Sequence, residues 1–128
     1  FESDLNKIIK TKEIDIFYSS GVIHYLEEPL KFLKLIAKES IPIVALSRNN
    51  FSKSSYVFAQ ATPLSWQGLG NHIEKYGNPK IYYPNTPLKK KDIIKIFKDE
   101  GYKVLIDLSS KSGVFGSYTY GGELIFRK

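Results

Sequence analysis

The 128-residue chain contains no cysteine, no methionine and only two histidines, His24 and His72. Without cysteine there are no disulfides and no thiolate metal sites. Two histidines far apart in the chain do not make a zinc ligand set. No segment approaches the roughly 20 consecutive apolar residues that a membrane-spanning helix needs. The N-terminus lacks the charged-then-apolar pattern of a secretion signal. The expected compartment is therefore a reducing cytoplasm. A natural reading frame begins with methionine, whereas this chain begins with Phe1, so it reads as a fragment or a processed product.

What is present is an apolar share of 42%, enough for the core of one domain, and a formal charge of +6. A basic balance favours nucleic acid or anionic substrates. The lysines are scattered at helix-surface spacing, with one run at Lys89, Lys90 and Lys91. That spacing suits a solvated surface, and nucleic acid is not the expected partner.

Periodicity gives the element order. Leu5, Ile8 and Ile9 predict a short helix over 2–10. "EIDIFYS" (13–19) is rich in β-branched and aromatic residues and predicts a strand. "EPLKFLKLIAKES" (28–40) predicts a helix with Pro29 at its first position, acidic residues beside its positive end, and Leu30, Leu33, Ile36 and Ala37 facing inward. "IPIVALS" (41–47) is a continuous apolar run of the kind buried on both faces of a parallel sheet. A long insert (48–86) follows, rich in aromatic, Asn, Gly and Pro residues, with "SYVFAQATP" as its one extended candidate. Insertions of that length are more often functional than short connections. "TPLKKKDIIKIFKDEGY" (86–102) predicts a helix with Thr86 as N-cap, Pro87 at N1 and Gly101 just past its end. Strands are predicted at 103–109 and 122–128, joined through a glycine-rich turn and paired antiparallel. The fold class is α/β: an open, mostly parallel sheet closed by an antiparallel hairpin.

Ligands of open α/β sheets bind beyond the carboxyl ends of the strands. Two polar-aromatic segments occupy that edge, 18–26 and 47–60. In the first, Ser19, Ser20 and Gly21 offer backbone groups that a ligand can approach closely. His24 is a candidate acid, base or hydrogen-bond partner, or a turn histidine bonded to backbone. Tyr25 reads as packing. In the second, Arg48 either pairs with a carboxylate or phosphate or forms a structural salt bridge. Gln60 lies in the insert. Trp66, the sole tryptophan, reads as a core or lid anchor in preference to a ligand-stacking residue. Tyr82 and Tyr83 either line a pocket or pack the insert. His72 with Glu74 has no third partner and ranks below His24.

"DIFYSSGVIHYLEEPLKFL" resembles the fourth strand and following turn of class I, Rossmann-like S-adenosylmethionine-dependent methyltransferases. "TPLKKKDIIKIFKDEGYKVL" resembles that superfamily's late helix and its turn into the sixth strand, and "GGELIFRK" its seventh strand. A narrower resemblance is to a bacterial family of methyltransferases met in surface-polysaccharide gene clusters. The motifs are "SGVIHYLEEP", "RNNF", Gln60 and Tyr83–Pro84, and they span nearly the whole chain. His24 stands where that family's turn carries Gln. The superfamily's glycine-rich loop and its acidic residue at the end of the second strand have no counterpart here.

The resemblance implies one partial domain over 1–128, equivalent to strands four to seven, with the insert at about 48–86. It implies S-adenosylmethionine as cofactor of the complete enzyme, bordered by Ser19, Ser20 and Gly21 and bound poorly by this chain alone. Arg48, Gln60 and Tyr83 would contact a small-molecule or glycan acceptor, with His24 the candidate catalytic base. Half a sheet would also expose an edge and favour self-association. The rival expectation is a non-catalytic binding or assembly module of the same fold.

Overall fold

In the short run "IFYSS" apolar side chains occupy both faces, so the segment extends and buries Ser19 beneath it. It forms β1 (Ile16–Ser20) in the computed structural model, which describes residues 7, 13–67, 77–110 and 119–128. The helix expected over 2–10, apart from Lys7, lies outside the described residues, as do His72 and the turn at 111–118.

The remaining elements are α1 (Pro29–Lys38), β2 (Ile43–Ser52), β3 (Phe58–Pro63), β4 (Lys80–Asn85), α2 (Lys90–Asp99), β5 (Lys103–Ser110) and β6 (Thr119–Arg127). Single 3-10 turns span Ile23–Tyr25 and Leu64–Gln67. The result is an α/β arrangement with a four-stranded mixed sheet in the order β1-β2-β6-β5 and a separate β3–β4 ribbon. β1 and β2 pair in parallel, in register from Ile16↔Ile43 to Ser20↔Ser47. β6 runs antiparallel to both β2 and β5. So β1, β2 and β5 share one direction, but parallel hydrogen bonding is confined to β1–β2 among the described strands. The expected antiparallel pairing of the last two strands is present. β6 lies inside the sheet, between β2 and β5.

Pro29 opens α1 as its fixed φ suits, and Leu33, Ile36 and Ala37 are fully buried beneath it. α1 and α2 pack together over one face of the sheet. Between them and the sheet lie Val44, Leu46, Phe51, Ile93, Phe97, Leu124 and Phe126, with Phe97 stacked on Phe126 at 4.3 Å. Each such side chain contributes about 1.5–3 kcal/mol by leaving water. The other face carries Ile16, Tyr18, Ile106 and Leu108, all exposed.

β1 starts three residues later than expected and β6 three residues earlier, and three larger differences bear on the site. β2 runs on to Ser52, because Asn49 to Ser52 pair with Gly122 to Thr119 across a bulge that falls between Leu46 and Asn49. The insert is not irregular throughout: Phe58–Pro63 and Lys80–Asn85 form an antiparallel ribbon. α2 begins at Lys90, so Thr86 is not its N-cap and Pro87 is not its first residue. The Thr86 amide donates to His24 O at 2.7 Å, the Leu88 amide to Asn50 O at 3.0 Å, and the Ser52 amide to Leu88 O at 3.0 Å. Those bonds hold 86–88 extended alongside β2, and tertiary pairing overrides the local cap signal. The far end matches expectation: Gly101 takes φ +83°, the left-handed conformation that glycine accepts most cheaply.

Gly122 marks the tightest backbone approach. A Cβ there would stand 2.4 Å from Leu108 O and 2.9 Å from Phe51 Cε2. Gly122→Ala is therefore expected to cost about 2 kcal/mol by forcing β5 and β6 apart. Denaturant unfolding checks this; an unchanged midpoint would mean that the two strands separate freely.

Candidate functional site

β1 delivers its chain to the sheet's carboxyl edge, where Gly21 turns it with φ +66° and its amide donates to Ser47 O at 2.9 Å. Directly beside it, Arg48 sits in the β2 bulge with φ +53°, and a Cβ on Gly21 would lie 3.8 Å from that of Arg48. The Arg48 side chain is exposed and makes no ion pair among the described residues, so the structural salt bridge considered from sequence is not formed there. Ser19 is buried, Ser20 half-buried, and the Gly21 amide is already engaged. These three residues therefore offer one border of a site and do not by themselves enclose a cofactor.

The turn Ile23–Tyr25 then drives His24 into the protein. His24 is 4% exposed, and its Nδ1 has no hydrogen-bond partner among the described residues. Its ring lies 4.2 Å from that of Tyr25. Burial lowers its pKa from 6.5 to about 4, so the imidazole is neutral at pH 7. An imidazole with so low a pKa is a weak base, and its best use is as a fixed hydrogen-bonding group.

The β3–β4 ribbon closes over this turn. Strand alternation puts Gln60 and Thr62 of β3 on the same face as Tyr83 and Asn85 of β4. The Tyr25 hydroxyl donates to Gln60 Oε1 at 3.2 Å, and Asn85 Nδ2 donates to the same oxygen at 2.8 Å. Gln60 Nε2 donates to the Tyr83 hydroxyl at 2.8 Å, which Thr62 Oγ1 also approaches at 3.3 Å. The Tyr25 and Tyr83 rings meet edge to face at 5.3 Å. Burial, and after it the neighbouring Tyr83, raise the Tyr25 pKa, which keeps its phenol a donor. None of His24, Tyr25, Gln60, Thr62, Tyr83 and Asn85 carries a carboxylate, and the cluster is neutral.

The structure thus joins three residues singled out from sequence, His24, Gln60 and Tyr83, in one cluster, and sets Arg48 beside Gly21. It adds Asn85, fully buried with its Oδ1 unpartnered, and Asn49, buried with both amide atoms unpartnered among the described residues. The period-two polar pairs Gln60/Thr62 and Tyr83/Asn85 were the available signal for these strands. Tyr25 does more than pack, since it anchors Gln60. Trp66 is 75% exposed and anchors no core. Tyr82 points outward as well, at 67% exposure.

Among the described residues no cluster of His, Asp or Glu could hold a metal ion, and no helix is long and apolar enough to cross a membrane. No protein-family model matches the chain, and no curated protein matches it. What fold and site define is an α/β domain with a neutral polar cluster at the carboxyl edge of its parallel strand pair.

Proposed function

We propose that this chain is the C-terminal part of an S-adenosylmethionine-dependent methyltransferase-like domain, with the His24–Tyr25–Gln60–Tyr83 cluster on its acceptor side. The observation that carries the reading is the sheet order. Three co-directional strands and a reversed last strand paired with the third support it, because the resemblance implies parallel strands closed by a final antiparallel hairpin. The cluster's position after β1 and β2 supports it, because that edge is where open α/β sheets bind ligands. The edge of β1, which pairs with β2 alone among the described strands, and the exposed Ile16 and Tyr18 support a sheet that continues into a further segment or partner.

S-adenosylmethionine supplies an already activated methyl group when bound, so the protein's task is alignment of the acceptor. This chain's residues suit that task. Neutral His24, Gln60 and the Tyr83 phenol form an uncharged hydrogen-bonding wall, appropriate to a hydroxyl of a small molecule or sugar. The Gln60–Tyr83 hydrogen bond holds those two in place, His24 is held by burial against the Tyr25 ring, and Arg48 at the adjacent bulge stands ready for a negative group on the acceptor. The cofactor itself would be held mainly by segments outside this chain, since Ser19, Ser20 and Gly21 provide a border alone.

The test is calorimetric titration with S-adenosylmethionine, on this chain and on the product of the whole reading frame. Saturable binding is expected for the whole product and not for this chain. Absence of binding by the whole product would leave the second reading, a non-catalytic assembly module, which the exposed sheet face favours.

A further inference from the structure

We propose that the groove between the end of β2 and the start of α2 is a binding site for a phosphorylated small molecule. The inference does not depend on the methyltransferase reading. In sequence, Lys89, Lys90 and Lys91 are an isolated basic run. The fold adds a fourth lysine to them. Pairing of Leu88 with Asn50 and Ser52 draws the strand leading into α2 alongside β2, and this brings Lys53 and Lys89 into one groove. The four lysines, with Ser52 and Tyr120, line a concavity of about 380 Å³. That volume falls within the range of small-molecule sites.

No carboxylate lines the groove; Asp92, in the first turn of α2, is not among the lining residues. Lys90 is committed elsewhere, its ammonium bonded to Asp107 and, at 2.7 Å, to Ser109 Oγ. Lys53, Lys89 and Lys91 make no ion pair among the described residues. Three like charges around one concavity repel one another, and a concave surface concentrates their potential. A bound polyanion removes that repulsion. Lysine serves phosphate as a flexible point charge. The Tyr120 phenol, its ring braced on Phe51 at 5.7 Å, adds a neutral donor.

A compact ligand fits better than a nucleic-acid backbone, which needs a basic stripe. On the neighbouring helix face Lys31 is paired with Glu28, and further along α2 Lys95 is paired with Asp99. Lys34, Lys38, Lys103 and Arg48 also make no ion pair among the described residues, but at the groove three unpaired lysines line one concavity that no carboxylate lines.

The probe is pyrophosphate, titrated into the ¹⁵N-labelled chain at physiological ionic strength. Saturable shifts are expected at Lys53, Lys89, Lys91 and Tyr120. The triple variant Lys53→Ala, Lys89→Ala, Lys91→Ala should weaken binding by about tenfold or more. A control triple, Lys34→Ala, Lys38→Ala, Lys103→Ala, carries the same net charge and should stay within about twofold. Equal weakening in both triples would overturn the proposal in favour of a diffuse field. Shifts that never saturate would reduce it to an adventitious ion only. Tighter binding of a duplex oligonucleotide, with shifts spread beyond the groove, would replace it with a polyanion surface. Thermal melts establish that the variants fold; if the groove triple does not, its three single variants are read in its place.

Discussion

Gln60→Ala is expected to destabilise the protein by about 3–4 kcal/mol, far more than its modest size suggests. The Gln60 side chain is the one group that both accepts from Tyr25 and Asn85 and donates to Tyr83. Each of those bonds is worth about 1 kcal/mol net. The larger loss is at Asn85, which is fully buried and already has an unpartnered Oδ1. Without Gln60 its Nδ2 is stranded too, and a stranded buried donor costs about 1–3 kcal/mol. Tyr25 and Tyr83 lie nearer the surface and recover part of their loss from water. Tyr83→Phe, which removes one phenol and leaves the Tyr25–Gln60–Asn85 bonds standing, should therefore cost about 1 kcal/mol. Urea unfolding of the two variants checks the ranking. Equal effects would mean that the cluster is not organised around Gln60. Hydrogen exchange should show the Gln60→Ala loss concentrated in β3, β4 and the turn at Ile23–Tyr25.

The same cluster shows what could be read from the chain and what could not. α1 was legible because Pro29 and the Leu33, Ile36 and Ala37 stripe are local signals, and all three stripe residues are buried. The antiparallel pairing of the last two strands was legible because no helix-length segment separates them. The β3–β4 ribbon was not, for a physical reason. Its inner face is polar, so the usual alternation of apolar-in and polar-out is inverted at Gln60, Thr62 and Asn85. Its two strands also meet only across a long intervening stretch. The continuation of β2 was hidden in the same way, since Asn49, Asn50 and Ser52 look like loop residues and are buried by pairing with β6. Thr86 and Pro87 carried a helix-start signal that hydrogen bonds to His24 and alongside β2 outcompete. His24, Gln60 and Tyr83 could be singled out from sequence, but their shared cluster depends on that unread ribbon.

His24 should make the protein acid-sensitive, and His24→Gln should remove that sensitivity. Burial holds the folded-state pKa at about 4, against 6.5 for the free side chain. Above pH 6.5 both folded and unfolded states carry neutral imidazole, and the group exerts no pH effect. Between 6.5 and 4 the unfolded state binds the proton and the folded state refuses it. Stability therefore falls as pH falls, and the loss levels off below the folded pKa. At about 1.4 kcal/mol per pH unit the full loss is about 3 kcal/mol, with about 2 kcal/mol of it already present at pH 5. Glutamine is neutral throughout and keeps one donor and one acceptor for the same pocket. The expected result is that His24→Gln and the parent differ little at pH 7.5, while the variant is the more stable by about 2 kcal/mol at pH 5 once the pH 7.5 difference is subtracted. Carboxylates titrate alike in both proteins, so the difference isolates the imidazole. Parallel stability curves from pH 7.5 to 5 would show that His24 takes up its proton in the folded state without penalty, and that the pocket around it is wet. The curves also bear on the role of His24 in the proposed site: a histidine that stays neutral down to pH 5 orients an acceptor hydroxyl and does not serve as a strong base.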